Sequence, residues 1–177
     1  MTDQSTSTAP TTLPPGTWQI DPTSTTVTVS AKKLLLWTIP GTLTVSHGSI
    51  EIGADGQVAA ADVVADAGSY TSKLARRNAE VVGSKLLDAA SFPTIAFHAD
   101  TVVPAATGFQ ATGTVTIKGR TSPISMIVSD VSTSESTATF RAEATVDRRD
   151  VGVDAMPSLI IGNELQLSIS ASARRAS

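Results

Sequence analysis

The sequence predicts an all-β domain, an antiparallel barrel or sandwich, and three observations carry that prediction. Eight or nine runs alternate apolar and polar residues with a period of two, as half-buried strands do. Short connections containing Gly, Asp and Pro join neighbouring runs, which implies an up-and-down order. The 177 residues, 41% hydrophobic and 16% charged, suffice for one core and fit one domain better than two.

The chain opens with "MTDQSTSTAPTTLPPG", a Thr/Ser/Pro-rich leader expected to be disordered through residues 1–15, ahead of a domain at residues 16–174. It has neither a basic start nor an apolar run, so it does not read as a secretory signal. A cytoplasmic location is expected, with a periplasmic or secreted one only if a signal has been removed.

Alternation begins near Trp18. In "TVTVS", Val27 and Val29 share one face and Thr26, Thr28 and Ser30 the other. The pattern returns in "TLTVS" (Leu43, Val45), "SIEI" (Ile50, Ile52), "VAAADVVA", "TIAFHA" (Ile95, Phe97, Ala99) and "TVTI" (Val115, Ile117). It continues in "PISMIV" (Ile124, Met126, Val128), "ATFRAEATV" (Phe140, Ala142, Ala144, Val146) and "LQLSIS" (Leu165, Leu167, Ile169). Turn chemistry sits between them: Asp-Gly in "GADGQ", Gly108 in "TGF" and Gly119 in "KGRTSP". Pro123 at the start of its strand removes a ladder donor where the loss is small.

One stretch breaks the rhythm. In "RRNAEVVGSKLLDAASFPTIAF", residues 76–97, a helical wheel begun at Leu74 puts Leu74, Asn78, Val81 and Val82 on one side. Arg76, Arg77, Ala79 and Glu80 point away. The segment reads as a short amphipathic helix ended near Gly83, its charges a solvated face. Asn78, polar on the apolar side, must bond the barrel rim or sit at a wet mouth.

Composition excludes several functions. A net charge of −3 with no concentrated Lys and Arg argues against nucleic acid. The absence of cysteine removes disulfides, thiolate catalysis and zinc–thiolate or iron–sulfur centres. No stretch approaches the ~20 apolar residues of a membrane-spanning helix. The two histidines, His47 and His98, lie opposite their apolar neighbours in alternating runs, so no His-rich metal site is available. No nucleophile elbow accompanies "HGS", and no phosphate loop or cofactor motif is present. With only 4% aromatic residues, any interior is filled or lined by aliphatic side chains. The polar group with the strongest functional reading is "DRRD", Asp147, Arg148, Arg149 and Asp150. Its plain reading is a turn; its sharper one is that Arg148 meets the helix around Asn78 or Glu80 and pins it to the barrel. The apolar "MPSLIIG", residues 156–162, reads as mouth lining or a homodimer contact.

In order, "WQIDPTSTTVTVSAKK", "DAGSYTS", "RRNAEVVGSKLLDAASFPTIAF", "GTVTIKGRTSPI", "ATVDRRDVGV" and "IGNELQLSISASA" resemble the YceI family of lipocalin-like, polyisoprenoid-binding proteins. "FPTIAF" and "TIKGRTSP" are its most specific pieces, and the likeness runs from about Trp18 to Ala173. It implies an eight-stranded antiparallel barrel, an aliphatic interior holding an isoprenoid tail, and a helical segment covering one side of the opening. It implies no catalysis and no cofactor. The chain departs from the family where "DPTSTT" has Ser24 for a usual His, and where "RRNAEV" has Asn78 for an acid, Glu80 for a His and Val81 for a Leu. Asp147 and Val151 stand where the family favours Asn and Phe. Head-group recognition through those histidines is therefore not carried over.

The resulting expectation is a non-enzymatic carrier or sequestering protein for an isoprenoid-like lipid. Alternation phase nominates Val27, Val29, Leu43, Val45, Phe97, Val115, Ile117, Met126, Phe140 and Leu167 as lining, with Val81, Val82, Leu86 and Leu87 from the cover. Asn78, Glu80, Arg148 and Asp150 form the nominated polar rim. The alternative is a stress-related or scaffold module with a filled core; small residues such as Ala65, Ala96 and Ala142 favour a cavity only if they point inward. Least favoured is an enzyme on a small lipophilic substrate using Arg148, Asp150 and Glu80.

Overall fold

The computed structural model describes residues 13–34, 36–155 and 161–177. Among the described residues, nine strands form one sheet: β1 (Gly16–Ile20), β2 (Thr26–Lys33), β3 (Trp37–Ile52), β4 (Val58–Asp66), β5 (Thr94–Ala105), β6 (Gly108–Ile117), β7 (Arg120–Thr133), β8 (Thr137–Asp147) and β9 (Ile161–Arg175). From β2 to β9 each strand pairs antiparallel with its successor, and β9 returns to β2, with Val27 opposite Ile169. The result is a closed eight-stranded meander, which leaves no long free edge. The ninth strand does not enlarge the ring. β1 runs alongside β3 and β9 just beyond β2, so the two form one wall position interrupted by a 3₁₀ turn, Pro22–Ser24. Asp21 caps that turn, its carboxylate accepting from Thr23 N at 3.0 Å and Thr23 Oγ1 at 2.7 Å.

Three strands change alternation phase midway. In β3, Leu43 and Val45 point inward at odd positions, yet Ile50 and Ile52 are buried at even ones. A register shift between Val45 and His47 absorbs the difference. "TLTVS" and "SIEI", separate runs in the alternation pattern, are therefore halves of one strand joined by a bulge. Similar shifts lie between Ala99 and Thr101 in β5 and between Ser129 and Ser132 in β7. Bulges bend strands and raise their twist, which closure of a small barrel requires.

Opposite the β5 bulge, a side chain on Gly113 would collide with the His98 carbonyl oxygen. Gly113→Ala is expected to destabilise the barrel by about 1–3 kcal/mol, the usual cost of overpacking, as a lower urea midpoint at unchanged slope.

The connections divide the barrel into two ends. Tight turns join β3 to β4, β5 to β6 and β7 to β8 at one. At the other lie the β2–β3 hairpin, the β8–β9 connection, the β6–β7 turn and the 27 residues between β4 and β5. The β6–β7 turn places Lys118 and Gly119 at positive φ, 51° and 73°, with Ile117 facing Arg120, a primed two-residue hairpin. The β4–β5 segment holds helix α1 (Ala75–Val82) and is laced to β3 by the Thr42–Thr71 bridge and by Ser69 Oγ accepting from Thr44 N at 2.8 Å.

Residues 13–15, assigned to the leader by composition, are held on the barrel: the Trp18 indole donates to Pro14 O at 3.1 Å and Arg175 to Pro15 O at 2.8 Å. Residues 1–12 of that leader, and residues 156–160 of the apolar stretch after β8, lie outside the described residues.

Candidate ligand cavity

Among the described residues, a larger and a smaller cavity lie along the barrel axis. The larger, about 460 Å³, lies at the helical end, and the smaller, about 150 Å³, at the turn end. Val63, Phe97, Met126 and Ile169 line both and form a waist between them. The walls are overwhelmingly apolar because the inward positions of every strand carry Val, Ile, Leu, Ala, Phe or Met.

Of the nominated lining, Val27, Val29, Leu43, Val115, Ile117 and Leu167 face the larger cavity together with Val81, Leu86 and Leu87 from the cover. Phe97 and Met126 stand at the waist, and Phe140 faces the smaller cavity. Val45 is packed in the wall, 1% exposed, and touches neither space; Val82 is also absent from both linings. Ala65 and Ala142 face inward, whereas Ala96 does not.

The polar rim is arranged differently from its nomination. The helix presents Leu74, Arg76, Arg77, Glu80 and Val81 to the cavity, so Arg76, Arg77 and Glu80 border the mouth instead of pointing away. The apolar stripe alone does not set the helix rotation, since residues 86–89 fold back on its C-terminal turn. Leu87 N donates to Val81 O at 2.9 Å and Ala89 N to Val82 O at 3.0 Å. Asn78 reaches neither barrel rim nor mouth: its Oδ1 accepts from Ser72 N and Ser72 Oγ, both at 2.7 Å. Glu80 pairs with Arg76 at 3.4 Å in an exposed i,i+4 bridge, the sort that contributes about 0.3–0.5 kcal/mol. Tyr70 and Lys33 complete the mouth. Tyr70 fits there because β3 has no side chain at Gly41, which its ring overlies, and burial raises its phenol above the usual range.

Arg148 does not pin the helix. It is 3% exposed and donates to the carbonyls of Val153 in the β8–β9 connection at 2.8 Å and of Gly162 and Ile161 at the start of β9 at 3.1 Å. That connection has a structural task. β7 and β8 pair only from Ile127 onward, and the gap at the helical end is filled by Val151, fully buried, and Val153. Asp150 is exposed and only its backbone N–H, donating to Asp147 O at 3.1 Å, joins the turn. Arg148 and Glu80 both line the larger cavity, Arg148 held by backbone carbonyls and Glu80 paired with Arg76, whereas Asp150 lines neither chamber.

In the same turn Asp147 accepts from Arg149 Nη2 at 2.6 Å and Nε at 3.0 Å, and these bonds, with one from Arg149 N, hold its carboxyl down at about 2. A carboxylate lowered by folding stabilises the fold above its unfolded value and loses that contribution as pH falls toward the folded one. Asp147→Asn is therefore expected to flatten the pH dependence of the urea midpoint between about pH 4 and 2, leaving the neutral-pH midpoint lowered slightly. His98 lies on the outer face, its Nδ1 2.6 Å from Asp62 across β4 and β5. Among the described residues, no group of three or more His, Asp or Glu is placed to hold a metal.

A meander of eight strands around an apolar interior is a fold shared by several binding families. The family model of the YceI-like domain matches residues 18–173. The chain belongs to the YceI-like family. Solved structures show the same barrel. BcnA of Burkholderia cenocepacia superposes with a TM-score of 0.77 at 21% identity, over 86% of this chain and 98% of that one. A polyisoprenoid binding domain from Saccharophagus degradans, implicated in plant cell wall breakdown, matches at 0.68 and 13% identity, over 90% and 98%. The YCEI protein of Campylobacter jejuni matches at 0.69 and 16%, over 82% and 90%. No curated protein matches the chain. The YceI-like family thus fixes the closed barrel with its helical segment, while the residues at this mouth belong to this chain.

Proposed function

We propose that this YceI-like protein binds the hydrocarbon of an isoprenoid-like or similar amphipathic lipid inside its barrel and sequesters or carries it without chemical change. One observation carries the reading. Val29, Ile95, Phe97, Leu165 and Leu167 face the barrel axis, yet each is only half-buried, because the interior opposite them is unfilled. A filled-core scaffold would bury these side chains fully.

The larger cavity falls within the roughly 300–1,000 Å³ of small-molecule sites. Its surface rewards hydrocarbon at about 0.8 kcal/mol per CH₂, so a tail gains affinity without polar contacts. The relative from Saccharophagus degradans, described as a polyisoprenoid binding domain, adds support for this ligand class.

The test is native mass spectrometry of freshly purified protein followed by solvent extraction. A co-purifying hydrocarbon, or uptake of added farnesol or a longer prenol, is expected. A clean apo mass with no uptake at saturating prenol would overturn the reading.

A further inference from the structure

The cavity mouth is flanked by an exposed apolar tip that neither the fold nor the cavity uses. The β2–β3 hairpin carries Leu34, Leu36 and Trp37 at 47%, 78% and 58% exposure, and across the mouth Leu74 is 54% exposed. These four are most of the large hydrophobics left in solvent among the described residues. Lys33 and Ile39 on one side and Leu74 and Arg77 on the other line the same cavity, so the exposed residues ring one opening. Trp37 stands on the strand face shared with Ile39, at the last register position, opposite Lys33. Leu34 holds a positive φ of 52°, a conformation that a glycine or asparagine adopts more easily, so the hairpin keeps a leucine there against backbone preference.

Charge completes the pattern. Residues 32–37 and 73–85 contain Lys32, Lys33, Lys73, Arg76, Arg77 and Lys85 with one acid, Glu80, in a protein whose net charge is −3. An apolar tip with an interfacial tryptophan, bordered by cations, has the chemistry of a surface for anionic lipid. Among the described residues no helix is long and apolar enough to cross a membrane.

We propose that the helical end of the barrel docks on an anionic lipid bilayer, the Leu34, Leu36 and Trp37 tip entering the interface and Lys32, Lys33, Lys73, Arg76 and Arg77 lying against phosphate head groups. The docking surface stands whatever the cavity holds, and it sets the mouth directly against the membrane.

The test is co-flotation of the full chain with vesicles of phosphatidylcholine alone and of an equal mixture of phosphatidylcholine and phosphatidylglycerol. Flotation with the mixed vesicles, weakened by salt and nearly absent with phosphatidylcholine alone, is expected. Trp18 is fully buried and Trp37 exposed, so a blue shift in emission on binding reports Trp37. Leu36→Ser with Trp37→Ser, and separately Lys32→Glu with Lys73→Glu, should each lower partitioning by roughly tenfold or more. None of these residues lines the cavity, and prenol uptake by the Leu36→Ser, Trp37→Ser variant should match the parent, which also shows that it is folded. Absence of flotation, equal flotation with neutral vesicles, or undiminished flotation of both variants overturns the proposal. So does a dimer that the tip variant abolishes in sedimentation while vesicles are ignored, which assigns the surface to a second copy of the chain. Prenol uptake is read separately, so failure of docking and failure of the carrier reading are distinguishable.

Discussion

Arg148→Ala is expected to lower stability by about 3 kcal/mol, among the larger single effects in this barrel, and to speed amide exchange at residues 151–153. Three carbonyls, of Val153 in the connection that fills the gap where β7 and β8 part and of Ile161 and Gly162 at the start of β9, lose the guanidinium that serves them. Buried acceptors left without donors cost more than the bonds themselves contributed. Hydrogen exchange followed by mass spectrometry locates the loss. Faster exchange confined to residues 151–153 is the expected outcome; faster exchange across Ala75–Val82 instead would show that Arg148 acts on the helix after all.

Ala65→Trp is expected to reduce prenol uptake at least tenfold while leaving thermal stability near that of the parent. Ala65 lines the larger cavity at the level where β4 meets Val45 and Ile95, and an indole placed there occupies space that a tail would fill. Displacing even two methylenes at about 0.8 kcal/mol each exceeds a factor of ten. The stability measurement separates an open chamber from a packed one. In a close-packed core the same substitution costs about 1–3 kcal/mol or more. A large drop in melting temperature with unaltered uptake would place Ala65 in packed wall and not at the cavity.

Strands were legible wherever alternation was strict. The pairs Val27/Val29, Val115/Ile117 and Leu165/Leu167 fixed their own phase, since a half-buried strand has only two choices and the polar Thr and Ser residues exclude one. The β3 bulge was not legible: "SHGS" has turn chemistry, and only the change from odd to even burial in the folded barrel distinguishes a bulge from a turn. The family was readable from ordered motifs, and the match over residues 18–173 bears this out. The mouth was less readable. A wheel ranks helix faces by apolarity, but the rotation of Ala75–Val82 is set by backbone bonds from residues 87 and 89 and by the Asn78 clasp on Ser72, all from segments without periodicity. Arg148 escaped because bonds to backbone carbonyls leave no mark in the pattern of side chains along the sequence. The hairpin tip "KKLLLW" carried a signal that alternation ignores, three consecutive leucines beside paired lysines at a turn.

The waist formed by Val63, Phe97, Met126 and Ile169 turns chain length into a threshold quantity. Under the proposed function, affinity along a homologous series of prenols is expected to rise with each added unit until the larger chamber is full. The next unit is then expected to displace the ring of Phe97 or the thioether of Met126, flattening the curve before it resumes in the smaller chamber. Met126, unbranched and easily repacked, is the member of that ring with the most freedom to step aside. On the proposed function, such a barrel would grade prenols in steps, with the intermediate step set at this waist.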